Sequence, residues 1–190
     1  MTLTLAYIAI VGVCVAATVM DLRTGRIPNK LTASAMAAGL VFWLIAGLLA
    51  GRGLVGAEGT DSGTVAASFL GLLCALVPFA ILVLLGGLGG GDMKLMGAIG
   101  AWSASWRIVL DTTIYALLAG ALIAIVLMVR TGRVRLTLAR LIGIAASGGK
   151  AVTPDDDATA PKVPFALAAL VGIAIAGAEH MLRLWPPLLG

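Results

Sequence analysis

The sequence predicts an all-α, polytopic membrane protein of about six transmembrane helices, and three observations carry that prediction. Hydrophobic residues fill 61% of the 190 positions and charged residues only 12%, about half the ~25% charged content of a soluble domain. The apolar residues gather in six runs, Leu3–Met20, Leu31–Ala50, Thr64–Leu85, Met93–Val109, Thr112–Val129 and Val163–Leu184. Most of these reach the ~17–25 residues that cross a bilayer as a helix. The basic residues, in turn, fall in alternate gaps between the runs.

Each run has to be helical, because lipid offers no partner to backbone N–H and C=O groups. The first run has no Lys or Arg before it, so it lacks the basic start of a cleavable signal. Cys14 and Cys74 lie inside apolar runs and read as small buried apolar side chains. There is no C-x-x-C pair and His180 is the only histidine, which excludes a structural zinc site. No metal and no other cofactor is expected. Pro28 fixes the turn before the second run, and Asn29 is a good N-cap for it. The fourth run is short, and Ser103, Ser105 and Arg107 erode its end. Merging it with the fifth would bury Arg107 and Asp111, so a hairpin turning near Ser105–Asp111 is expected. His180, close to the end of the sixth run, reads as an interfacial residue.

Six spans put alternate loops on opposite sides. Residues 21–30, 86–94 and 130–162 hold ten of the basic residues, and the opposite loops hold only Arg52, Arg107 and Arg183. That bias places the first set in the cytoplasm and both termini outside. Trp102, Trp106 and Trp185 then fall at the outer interface as an aromatic belt. The net charge of +4 and the pI of about 9.5 follow from this bias, so lipid and not nucleic acid is the expected partner of the basic residues. The chain reads as one membrane domain, 1–190, with a cytoplasmic loop at 130–162. Within that loop Arg130–Ile142 has the pattern of an interfacial helix, and Ala145–Pro161 that of a flexible linker. No oligomeric state follows from the sequence.

Two segments break the logic of lipid in the same place. Met20-Asp21-Leu22-Arg23-Thr24-Gly25-Arg26-Ile27-Pro28-Asn29 follows the first span, and Gly86-Gly87-Leu88-Gly89-Gly90-Gly91-Asp92-Met93-Lys94 precedes the fourth. Each sets an aspartate against the end of an apolar helix on the cytoplasmic side, where a carboxylate is costly and marks function. Asp21 closes a helix, where the dipole disfavours its anion; Asp92 opens one, where free N–H groups favour it. Brought together, the two acids would share a proton, with Asp92 expected as the ionised member and Asp21 as the protonated one. One takes a proton from water while the other polarises a scissile carbonyl. Gly89, Gly90 and Gly91 permit positive φ and close approach of a substrate strand, although a glycine run also serves to connect or pack helices. Lys94 is expected to extend toward the cytoplasmic interface, within reach of a long-range effect on Asp92. Asp111 and Glu179 lie toward the outer side, away from the pair; Glu58, Asp61 and Asp155–Asp157 fall in solvated loops.

These two segments resemble the signature segments of prepilin peptidases, the G-x-G-D class of intramembrane aspartic proteases. Asp21 followed by Ile27-Pro28-Asn29, and Gly89-Gly90-Gly91-Asp92-Met93-Lys94, carry the likeness, together with the span count. The resemblance implies that Asp21 and Asp92 are the catalytic pair and that Gly89 and Gly91 form the G-x-G part. It also implies a prepilin or pseudopilin substrate, whose short basic leader is cut off at the cytoplasmic face of a bacterial inner membrane. Val163-Pro164-Phe165 is similar to a family segment that often reads Pro-Tyr, with Phe165 lacking the hydroxyl. The absence of C-x-x-C pairs makes the likeness one to short members, such as those of Flp-type tight-adherence pilus systems, in which N-methylation of the product is not expected. Archaeal preflagellin peptidases are similar too. Two readings of other classes stay open on the residues alone: a proton-coupled transporter and a non-catalytic pilus assembly protein.

Overall fold

The computed structural model describes residues 2–49, 51, 64–85, 88–132, 134 and 164–182. Six helices account for nearly all of them: α1 (Thr2–Thr24), α2 (Asn29–Leu49), α3 (Val65–Leu84), α4 (Gly90–Ser103), α5 (Trp106–Arg130) and α6 (Phe165–Leu182). No strand occurs among the described residues. Four helices, α1, α2, α3 and α5, are long and apolar enough to cross a membrane. Their outward faces carry large apolar side chains such as Ile8, Leu48, Leu84 and Leu122, which fits a lipid solvent and not water.

α4 solves a different problem. Its 14 residues rise about 21 Å, short of the ~30 Å hydrocarbon core. Every residue from Leu95 to Ala101 is buried, and α4 touches all five other helices. A helix buried on all sides belongs at the centre of its protein. Small residues let the neighbours close on it: a Cβ on Gly100 would run into the Gly71 carbonyl, and one on Gly71 into the Gly100 carbonyl. Such backbone approach is the usual way helices associate in lipid. Polar ties fix the register. Trp43 Nε1 donates to the Trp102 carbonyl at 2.9 Å and Trp102 Nε1 to the Ala35 carbonyl at 2.8 Å. The Ser68 hydroxyl donates to the Ala101 carbonyl.

Several expectations need correction. The α4–α5 hairpin turns at Ala104–Ser105 alone, with Ala104 in the left-handed region at φ 41°. α5 therefore takes in both Arg107 and Asp111. Arg107 stays exposed with its guanidinium 5.4 Å from the centre of the Trp106 ring. Asp111 is fully buried, and His180 Nε2 lies 3.1 Å from its Oδ2. A partner on α6 makes this burial tolerable, and that partner was invisible to a reading that treated each run alone. Asn29 is the first residue of α2 and not its N-cap; the Pro28 carbonyl accepts from the N–H groups of Leu31 and Thr32. Trp102 turns inward between α2 and α4, so it is not part of an interfacial belt. The expected helix and linker of the 130–162 loop lie outside the described residues except for 130–132 and 134, as do Glu58, Asp61 and Trp185.

Candidate active site

The C-terminal end of α1, the start of α2, the start of α4, the second half of α5 and the start of α6 surround one cavity of about 1310 Å³. Asp21 and Asp92 both line it. Asp21 sits in the last turn of α1, which ends where Gly25 adopts φ +63° and its N–H donates to the Asp21 carbonyl at 2.8 Å. Glycine suits that left-handed helix-ending position, where a Cβ is disfavoured. The signal was present in the sequence, a glycine just past a helix end, but went unused.

Asp92 is the third residue of α4, after Gly89 at the N-cap. Its carboxylate turns back onto the Gly89 N–H, the geometry of an acid satisfying the first turn of its own helix. Asp92 is half-buried and precedes the apolar stretch of α4, outside the four membrane-long helices. Burial pushes its carboxyl up to about 6, the charge of Asp21 pushes the same way, and the Gly89 N–H only partly opposes them. The direction is the reverse of the expected one. The helix terminus does favour the anion, as supposed, but desolvation and a second carboxylate outweigh it.

The glycines owe their place to space and not to unusual backbone angles. Gly89 has φ −79°, and neither Gly90 nor Gly91 has positive φ. A Cβ on Gly89 would sit 3.1 Å from Asp92 Oδ2, and one on Gly91 would meet Ile27 Cβ at 3.4 Å. Gly89 thus clears room for the carboxyl, whereas a Cβ on Gly91 would make only an ordinary contact with the segment after α1. Gly90 is exposed, faces open space and does not line the cavity. Lys94 does not line it either. Its Nζ donates to Asn29 Oδ1 at 3.0 Å, tying α4 to the start of α2, and its charge is not among the influences that move Asp92.

Much of the remaining lining is apolar. It includes Leu117, Gly120, Ala121, Ala124 and Leu127 of α5, with Pro164 and Phe165 at the start of α6. Phe165 is held by Phe79, ring centres 5.8 Å apart. Among the described residues no three His, Cys, Asp or Glu side chains gather as metal ligands would. A second polar cluster joins α5 and α6 elsewhere: besides Asp111 and His180, Tyr115 donates to Glu179 Oε1 at 2.7 Å. None of Asp111, Tyr115, Glu179 and His180 lines the cavity. Asp111 and Glu179, expected in isolation, meet His180 and Tyr115.

Among the described residues a bundle with four membrane-long helices holds two carboxylates on one cavity. Residues 8–127 match the type IV leader peptidase family, and the chain belongs to that family. Among its relatives is a prepilin leader peptidase/N-methyltransferase of Burkholderia pseudomallei (strain 1026b), 35% identical over 133 residues, which are 68% of this chain and 40% of the relative. Another, of the same name, is from Aeromonas hydrophila, 32% identical over 123 residues, 64% of this chain and 39% of the relative. The matched part thus spans about two-fifths of the curated relatives' length. No solved structure matches the chain.

Proposed function

We propose that this protein is an aspartic endopeptidase that removes the basic leader of prepilins or pseudopilins, with Asp21 and Asp92 as the catalytic pair. The observation that carries the reading is that both acids, from helices far apart in sequence, line one cavity and that the charge of Asp21 acts on Asp92. Family membership supports the peptidase class.

The chemistry follows from a pair that holds one proton. A water between the carboxyls gives a proton to the ionised member as its oxygen attacks the peptide carbonyl. The protonated member donates to the carbonyl oxygen, forming a tetrahedral diol. Collapse returns that proton and passes the other to the leaving amine, so the pair ends as it began. Burial and the neighbouring carboxylate make Asp92 the member pushed toward holding the proton. Gly89 keeps the Asp92 carboxyl free to reorient, and the Lys94–Asn29 bond holds the start of α4 in place.

The resemblance adds finer features: action at the cytoplasmic face of a bacterial inner membrane, a tight-adherence pilin as substrate, and no N-methylation of the product. Mass spectrometry of the new N-terminus checks the last of these. The central test is co-expression with the cognate prepilin. Asp21→Asn and Asp92→Asn are each expected to abolish the shift to the processed form; normal processing by both variants refutes the reading. A transporter would instead conduct protons in liposomes without any peptide.

A further inference from the structure

We infer that the cavity face of α5, Leu117, Gly120, Ala121, Ala124 and Leu127, is the docking surface for the apolar segment of the substrate beside the scissile bond, with Gly120 as a specificity-determining residue. The inference rests on the peptidase reading and extends it to how the substrate is held.

The five positions fall at i, i+3, i+4, i+7 and i+10, a single helix face about 15 Å long. That face shares one cavity with Asp21 and Asp92, so a peptide whose carbonyl lies between the acids continues along it. The cavity is larger than the ~300–1,000 Å³ of ordinary small-molecule sites, which suits a length of chain. Its lining combines the two acids and Arg26 with a run of apolar side chains along α5. A substrate matching both presents a polar peptide bond next to an apolar helix, the helix-in-groove mode of recognition.

Gly120 shows what the face is for. A Cβ there would meet only Ala168 Cβ at 3.6 Å, an ordinary contact, and its φ is not positive. Neither packing nor backbone demands glycine, so its contribution is room in the cavity it lines. On the far side of α5, Leu122 is 63% exposed and does not line the cavity.

The test uses the full chain in liposomes. Its probe is a synthetic peptide with a basic leader followed by ~20 apolar residues, the length that spans a bilayer. Gly120→Leu is expected to raise KM roughly tenfold with little change in kcat, the size of effect expected when a pocket loses an apolar fit. Leu122→Phe is expected to leave KM unchanged. In an Asp92→Asn background, a photoreactive benzophenone side chain at position 124 is expected to crosslink the probe, in competition with unlabelled peptide, while one at position 122 is not. Equal crosslinking from both positions, or an unchanged KM in a folded Gly120→Leu, overturns the inference. So does crosslinking from position 124 to lipid alone. If Gly120→Leu does not fold, the crosslinking decides. Cleavage of the probe by the unmodified chain separates the two claims: with cleavage and no crosslink at 124, docking fails while the peptidase stands.

Discussion

Asp92 should lose part of its affinity for a proton when Asp21 is neutralised. Its carboxyl stands at about 6 instead of the ordinary 3.8. That gap equals about 3 kcal/mol of disfavour for the anion at 1.36 kcal/mol per pH unit, or roughly 1–2 kcal/mol once solvent screening at a half-buried site is allowed for. Burial is the larger cause and the Asp21 charge the smaller. Asp21→Asn is therefore expected to lower the Asp92 midpoint by about one pH unit or less, with the remainder of the rise persisting. The assay is the infrared band of the protonated carboxyl, assigned to Asp92 by its disappearance in Asp92→Asn and followed against pH. A midpoint that stays at the same value or rises in Asp21→Asn would show that the two groups do not sense one another, and the paired-acid argument would fail. The effect on stability has a definite sign. A carboxyl whose pKa is raised by folding costs nothing below its unfolded value near 4, and the cost grows as pH rises to about 6 and stays above it. Asp92→Asn should accordingly raise the thermal unfolding midpoint at pH 8 and leave it unchanged at pH 4.

Three further outcomes follow from the packing. Gly89→Ala places a methyl 3.1 Å from Asp92 Oδ2; under the proposed function, displacing that carboxyl by a few tenths of an ångström should cut kcat by about tenfold, with an unfolding midpoint close to that of the parent chain. Gly100→Ala drives its Cβ into the Gly71 carbonyl, backbone against backbone, and should cost about 3 kcal/mol, read as loss of folded protein in a detergent melt; an unaltered melt would refute the α3–α4 contact. Tyr115→Phe strips Glu179 Oε1 of its donor, while Oε2 is buried with no partner among the described residues. The expected loss is about 1–3 kcal/mol, and it should leave KM for peptide unchanged because the cluster lies outside the cavity.

The sequence-legible part of this protein is the part governed by lipid. Runs such as Leu3–Met20 and Thr64–Leu85 could only be helices, and they are α1 and α3. Asp21 and Asp92 stood out because nothing in a bilayer favours them, and the structure brings both to one cavity. What stayed hidden depends on partners distant in sequence. Asp111 looked too costly to bury until His180, 69 residues away, is placed beside it. The α4–α5 boundary was misplaced for the same reason, since the hairpin was extended to Asp111 to keep that acid out of the apolar region. The wall on α5 reads in sequence as an ordinary apolar helix; only the arrangement of α1, α4 and α6 around it makes one face a cavity lining.

The sign of the Asp92 shift shows where local reasoning stops. A helix start supplies partial positive charge and free N–H groups, an effect of typically 0.3–1 kcal/mol. The sequence displays that term because it concerns consecutive residues, and the Gly89 N–H does act as expected. The opposing terms come from the fold: the walls that remove water from Asp92, and Asp21 arriving from another helix. Any site that gathers two acids to share a proton has to work against the local preference of at least one of them, since an acid satisfied alone would stay ionised and give nothing to a carbonyl. The terminus of α4 keeps the rise moderate. Relative to Gly89→Ala, which adds the same Cβ, replacing Gly89 by proline also takes away the N–H and so removes that restraint. The Asp92 midpoint should then move above about 6 in the same infrared titration, whereas a fall would mean that the N–H does not act on the carboxylate.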